Sequence, residues 1–221
     1  MAPRLDGTIA VITGAGSGMG RETAVLAARQ GAHLALCDIN EAGLKESAEL
    51  AMARRVEVLT QVVDVSDAAD MQAFAAAVYD RFGRVDLLVN NAGIAVLATF
   101  LDTELSDWTR MLDVNVMGVV HGSHAFVPKM VQQGSGGQIV NVASTTSYQP
   151  LPAMHAYSVT KSAAFGLSEA LRIELAPHGI GVTAVCPGVI NTAITTSIVR
   201  GERADQRRAK LQMLYAQRGN K

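Results

Sequence analysis

The stretch Thr8-Ile-Ala-Val-Ile-Thr13-Gly14-Ala-Gly-Ser-Gly18-Met-Gly20 constrains the chain more than any other. Its first half is a short β-branched apolar run, the pattern of a strand buried on both faces. The run breaks into a turn of alternating glycines. A helical pattern from Arg21 to Gln30 follows, closed by Gly31 as a C-terminal cap. Glycines permit positive φ and let the backbone approach a ligand closely. The start of the following helix offers unpaired N–H groups to a pyrophosphate. Strand, glycine turn and helix in that order point to dinucleotide binding.

The next apolar run, His33 to Cys37, ends at Asp38, twenty residues beyond Gly18. A carboxylate there accepts hydrogen bonds from the adenosine ribose hydroxyls and repels a 2′-phosphate. Neither the glycine turn nor the few residues after Asp38 hold an Arg or Lys to bind that phosphate. The sequence therefore points to NAD(H) rather than NADP(H). Further apolar runs follow at 56–63, 85–89, 138–143 and 181–186, with helical patterns between them at 41–54, 66–82, 106–130 and 155–177. Ser66 and Ser106 stand where N-caps of two of these helices belong. Strands that alternate with helices predict a parallel sheet with helices on both faces, an α/β doubly wound fold. The fourth run leads into Asn90-Asn91-Ala92-Gly93, which leaves room for a ligand against the backbone at the carboxyl edge of the sheet.

The chemistry is expected from Ser144 to Lys161. Tyr157 and Lys161 sit four residues apart where a helix begins, after Pro150 and Pro152, so they share one helix face. An ammonium beside a phenol favours the phenolate, and a tyrosine tuned this way gives or takes a proton at an alcohol or ketone. Ser144 ends the fifth strand and is placed to hydrogen-bond a substrate oxygen. Asn115 is an amide among apolar neighbours; it either satisfies a backbone gap or holds a water in a proton path.

Composition bounds the reading. The 221 residues suffice for one domain with a substantial core, and 49% are hydrophobic. A net charge of −1 argues against a general nucleic-acid binder. From Arg200 onward seven Lys or Arg face two acidic residues, read as the solvated face of a helix. Cys37 and Cys186 lie far apart, with no metal-ligand spacing, and read as reduced thiols. No apolar run approaches the length of a membrane span, and no signal-peptide pattern opens the chain. The expected location is cytoplasmic.

Taken together these motifs closely resemble the short-chain dehydrogenase/reductase family over about residues 5 to 200. The resemblance rests on Thr13-Gly-x-x-x-Gly-x-Gly20, Asp38, Asp64-Val65, Asn90-Asn-Ala-Gly93, Asn115, Ser144, Tyr157-x-x-x-Lys161 and Pro187-Gly188. It implies a Rossmann-type sheet ordered 3-2-1-4-5-6, usually with a seventh strand. It implies Tyr157 as general acid/base, Ser144 orienting the substrate oxygen, and Asn115 positioning a water. Lys161 would bind the nicotinamide ribose and lower the tyrosine pKa. Gly14, Ser17, Gly18, Met19 and Gly20 would meet the pyrophosphate side of the cofactor, Asp64 and Val65 the adenine, and Asn91 would lie along it. Ile190 and Thr192 would meet the carboxamide. The helices of Asn115 and Tyr157 commonly pair in such proteins, so a homodimer or homotetramer is expected.

The expected whole is one catalytic domain over 1–221, with about 190–221 as a substrate lid and no strand-like run for the usual last strand. Apolar residues after Pro187, among them Ile190, Ala193, Ile194, Ile198 and Val199, suggest an apolar alcohol or ketone, or a lid packed onto the body. The leading reading is an NAD(H)-dependent alcohol dehydrogenase or carbonyl reductase. The alternatives are an NADP(H)-dependent ketoreductase and an NAD-binding sensor or scaffold without turnover.

Overall fold

The structure, a computed structural model, describes residues 5–188, Ile190, residues 198–199, Ala209 and Met213. All five residues of β1 (Ile9–Thr13) are buried, because both of its faces are covered. Ala10 and Ile12 pack on one side against Ala24, Ala27 and Ala28 of α1 (Gly18–Arg29) and Leu44 and Ala51 of α2 (Glu41–Met52). The small side chains of α1 let that helix lie close to the sheet. Val11 points the other way, as the two-residue period of a strand requires. It joins Met71, Phe74 and Val78 of α3 (Ala68–Phe82) and Phe126 and Met130 of α5 (Gly118–Gln133). Phe74 and Phe126 meet edge to face, with centroids 6.1 Å apart at 80°. Each fully buried Phe contributes about 1.5–3 kcal/mol, and the edge-on contact about 1 kcal/mol more.

The sheet is parallel throughout. Its order is β3-β2-β1-β4-β6-β7, from β2 (His33–Asp38), β3 (Val58–Val62), β4 (Leu87–Asn90), β6 (Gly137–Val142) and β7 (Ile180–Val185). Counted along the main sheet this is the expected 3-2-1-4-5-6. The order reverses between β1 and β4, so the carboxyl ends of those strands open a crevice there.

Three local expectations are corrected, and one small sheet is added that the sequence did not signal. Asp67, not Ser66, caps α3: its Oδ1 accepts from Ala69 N–H at 2.7 Å and Asp70 N–H at 3.3 Å. Ser66 instead donates to Asp64. Glu104, not Ser106, precedes α4 (Leu105–Leu112), and its N–H is taken by Asp107 Oδ2 at 3.1 Å. The single long helix expected over 106–130 is broken into α4, a π-helical turn (Asp113–Met117) and α5. A widened turn of this kind releases a side chain from the normal i+4 row, and here the side chain released inward is that of Asn115. Lastly, Val96–Leu97 forms β5, which pairs in parallel with β8 (Ile198–Val199) as a second, two-stranded sheet. Two-residue strands are too short to leave a periodic signal. Apart from Ile190, β8, Ala209 and Met213, the expected lid over 190–221 lies outside the described residues, as do Thr192, Ala193 and Ile194.

Candidate active site

Thr13 ends β1 and Asn91 follows β4; between them they stitch the crevice shut at its base. Thr13 Oγ1 accepts from Asn91 N–H at 3.0 Å and Ala92 N–H at 3.1 Å. In return, Asn91 Nδ2 donates to Thr13 O at 2.9 Å and Gly14 O at 3.1 Å. The close fit explains two of the glycines. Gly14 has φ +64°, and a Cβ there would lie 2.7 Å from Ala92 Cα. A Cβ on Gly20 would lie 2.1 Å from Gly14 O. Ser17 precedes α1 in an extended conformation and makes no side-chain cap. The N–H groups of the first turn of α1 therefore face the crevice without a capping oxygen, the donor set an anion needs.

Asp38 ends β2 beside this turn. Its Oδ2 accepts from Gly16 N–H and its Oδ1 from Asn40 N–H, both at 2.8 Å. The carboxylate is thus aimed by the backbone on either side. Asp64 and Val65 follow β3. Val65 packs on Gly118 at the start of α5, where a Cβ would lie 2.8 Å from Val65 Cγ2. Its carbonyl meets His121 Nδ1 at 2.9 Å.

The second half of the crevice is built by α6 (His155–Leu175) and the end of β6. Tyr157 and Lys161 lie one turn apart on the buried face of α6, at 7% and 3% exposure. Lys161 Nζ donates to Val142 O at 2.7 Å and lies 5.8 Å from the Tyr157 ring centre. Burial of the ammonium pulls the Lys161 pKa down to about 8, opposed in part by the Cys186 thiol. Ser144 is extended and buried, and its Oγ accepts from Thr146 N–H at 3.2 Å. Accepting there leaves its O–H to donate. The end of β7 docks alongside through Ala143 N–H to Val185 O at 2.8 Å and Thr145 N–H to Pro187 O at 3.0 Å.

Asn115 is fully buried behind Gly93. Its Oδ1 accepts from Ile94 N–H at 2.8 Å, and its Nδ2 donates to Ile94 O at 2.9 Å and Thr160 Oγ1 at 3.0 Å. The amide therefore ties the π-helical turn to the segment that follows Gly93 and to α6. This is the backbone-satisfying arrangement that the sequence left open beside the water-holding one.

One cleft of about 760 Å³ joins these parts. Gly14, Ser17, Gly18, Met19, Asp38, Asp64, Val65, Asn91, Ser144, Tyr157, Lys161 and Ile190 all line it. Gly20 and Asn115 stand behind its wall. The sequence reading missed Asn40 and Ser66 on the nucleotide side, and Thr146, Leu151 and Met154 on the other. It also missed Arg21, whose guanidinium backs the glycine turn through Gly16 O at 2.6 Å. The signal for Arg21 was its position directly after Gly20. The others are ordinary loop residues with no signal of their own.

The comparisons with known proteins agree with this geometry. The family model for short chain dehydrogenases matches residues 8–203. "Probable oxidoreductase EphD" of Mycobacterium tuberculosis is 43% identical over 217 residues, covering 96% of this chain and 37% of EphD. The chain thus spans little more than a third of the length of that relative. A short-chain dehydrogenase/reductase from Burkholderia phymatum, solved in complex with NAD, superposes with a TM-score of 0.90 at 35% identity, covering 96% of this chain and 80% of that one. Carveol dehydrogenase from Mycobacterium avium, also solved with NAD, gives 0.84 at 31% identity, covering 87% and 74%. The chain belongs to the short-chain dehydrogenase/reductase family of oxidoreductases. Among the described residues no helix is long and apolar enough to cross a membrane.

Proposed function

We propose that this chain is an NAD(H)-dependent alcohol dehydrogenase or carbonyl reductase that interconverts a secondary alcohol and a ketone. The observation that carries this reading is the meeting of Tyr157, Lys161 and Ser144 in one cleft with the glycine turn. The residues present fit a nicotinamide dinucleotide. Gly14 and Gly20 form a cradle that a Cβ would fill, the α1 N-terminus supplies N–H donors, and Asp38 stands where an adenosine ribose is read. When bound there the cofactor supplies the hydride acceptor or donor. The NAD-bound relatives support the same choice of cofactor.

The chain's own residues would act as follows. Ser144 O–H donates to the substrate oxygen and fixes its direction. Tyr157 Oη takes the alcohol proton in oxidation and returns it in reduction. Lys161, anchored on Val142 O, holds a positive charge beside the phenol and favours phenolate. Asn115 keeps Ile94 and α6 in register, so that Tyr157 and Ser144 stay aligned. Ile94, Val96, Leu97, Leu151, Met154 and Ile190 form an apolar wall on this side, which fits a substrate that is hydrocarbon apart from its reacting oxygen. Exposed apolar side chains on the helices flanking the site, including Leu105, Leu112, Met117 and Val159, fit burial in a homodimer or homotetramer. Burial pushes the Cys37 thiol far up, which suits a reduced thiol in a cytoplasmic protein.

Paired fluorescence titrations with NADH and NADPH, then a panel of secondary alcohols and ketones, test this reading. NADH should bind more tightly, and apolar alcohols should turn over. Tyr157→Phe should lose about 10³-fold in kcat while its NADH Kd stays within about twofold of wild type, since the ring still packs. Near-normal turnover in that variant would sink the mechanism.

A further inference from the structure

Arg21 lies outside the cleft, yet its side chain reaches the back of the glycine turn. Ala15 and Gly16 carry four backbone polar groups between them, and the protein meets all four. Ala15 N–H donates to Cys37 O at 3.0 Å, and Gly16 N–H to Asp38 Oδ2 at 2.8 Å. Ser47 Oγ donates to Ala15 O at 2.7 Å, and Arg21 Nη2 to Gly16 O at 2.6 Å. The two donors are themselves linked: Arg21 Nε donates to Ser47 Oγ at 3.0 Å. Arg21 also reaches Gly43 O at 3.3 Å and pairs with Glu46 at 2.8 Å. Ser47 is fully buried. Helix α2 comes so close that a Cβ on Gly43 would lie 2.5 Å from Gly16 O.

We infer that Arg21, acting through Ser47 and Gly16, is a positioning residue that sets how tightly the turn takes a dinucleotide and how sharply Asp38 discriminates its ribose. The inference rests on the dinucleotide reading proposed above. The link to Asp38 is direct, because one carboxylate oxygen is held by the N–H of the same Gly16 whose carbonyl Arg21 holds. If Gly16 moves, the carboxylate loses its anchor on that side. The planar fork of a guanidinium can serve Gly16, Gly43, Ser47 and Glu46 at once; the point charge of a lysine cannot. The same commitment keeps Arg21 from turning outward to a 2′-phosphate. It works for the unphosphorylated ribose although it is a cation near that site.

The test compares wild type, Arg21→Met, Arg21→Lys and Ser47→Ala. Each is titrated with NADH and with NADPH, melted thermally, and assayed for KM(NAD+) and kcat separately. Arg21→Met should weaken NADH about tenfold, narrow the NADH/NADPH ratio and raise KM(NAD+), with kcat at saturation within about twofold. Arg21→Lys should recover only part of the affinity. Ser47→Ala, which removes one donor and no charge, should shift the ratio in the same direction by a few-fold, and it decides the matter if Arg21→Met does not fold. NADH affinity within twofold of wild type would overturn the inference. So would equal weakening of both cofactors at an unchanged ratio, since that is what a merely structural arginine gives. Wild type that binds neither dinucleotide would instead overturn the site reading on which this one stands.

Discussion

On the nucleotide side of the cleft the wall is backbone held by backbone and by short polar side chains. On the substrate side it is a lining of apolar side chains. Around Ala15 and Gly16 the four backbone polar groups each have a protein partner, and four hydrogen bonds link Thr13 and Gly14 to Asn91 and Ala92 across the crevice. Across from them, Ile94, Leu97, Leu151 and Ile190 offer area and shape, with Leu151 and Ile190 partly open at the mouth. Hydrogen-bonded backbone fixes a geometry that one added carbon destroys. An apolar wall tolerates many residues of similar size. The two halves should therefore fail differently when altered.

The largest effect is expected from Gly20. A Cβ there would meet the Gly14 carbonyl at 2.1 Å, and a backbone oxygen cannot swing aside as a side chain could. Gly20→Val should cost about 3 kcal/mol of stability and weaken NADH by more than about 100-fold. Denaturant melts and fluorescence titration measure the two. A variant that binds NADH within a few-fold of wild type would show that the turn is not as tightly specified as its contacts indicate.

Next comes Lys161, which stands between the halves. Its folded pKa of about 8 lies below the ordinary 10.5 because burial disfavours the ammonium. Between those two values the unfolded chain binds the extra proton, so stability rises with pH across that window. Below about pH 8 the full cost of burying the charge, roughly 3 kcal/mol, is present. Lys161→Met keeps the stem and removes the titration. The stability of wild type relative to this variant should improve by roughly 3 kcal/mol between pH 7.5 and 10.5. Melts of both proteins across that range measure it. A flat difference would mean that the burial of Lys161 is relieved in solution.

These contrasts also mark what could be read before the structure. The glycine turn, Asp38, the Asn90–Gly93 corner and the Tyr157/Lys161 pair were legible because each demands one residue type at one spacing. The parallel sheet followed from the alternation of strands and helices, and its order only from the family resemblance that the motifs carry. The break at Asp113–Met117 was not legible, since the 3.6-residue pattern runs through it and only the partners of Asn115 explain it. The true caps were hidden because Ser66 and Asp67 are both good N-cap residues, and only geometry chose the second. Arg21 is not legible as a site residue because its contacts lie on the far side of the turn from the cofactor site. Of the apolar wall only Ile190 stands out in the sequence; the other residues carry no signal of their own, which is why substrate identity is the least specified part of the reading.

The smallest expected effect tests that last point. Leu151 lines the substrate side and is partly exposed. Leu151→Ala removes apolar area from one wall, and for a half-exposed leucine that is about 1 kcal/mol. KM for an apolar secondary alcohol should therefore rise roughly fivefold, while KM for a small polyol changes little and NADH affinity holds within about twofold. Steady-state kinetics with the two substrates, beside one NADH titration, separate the terms. An equal rise for both alcohols would make Leu151 a packing residue of the loop before α6 and not a contact of the substrate. A loss of NADH affinity would show that the two halves of the cleft are coupled through that loop, and the division drawn between them would have to be redrawn at Met154.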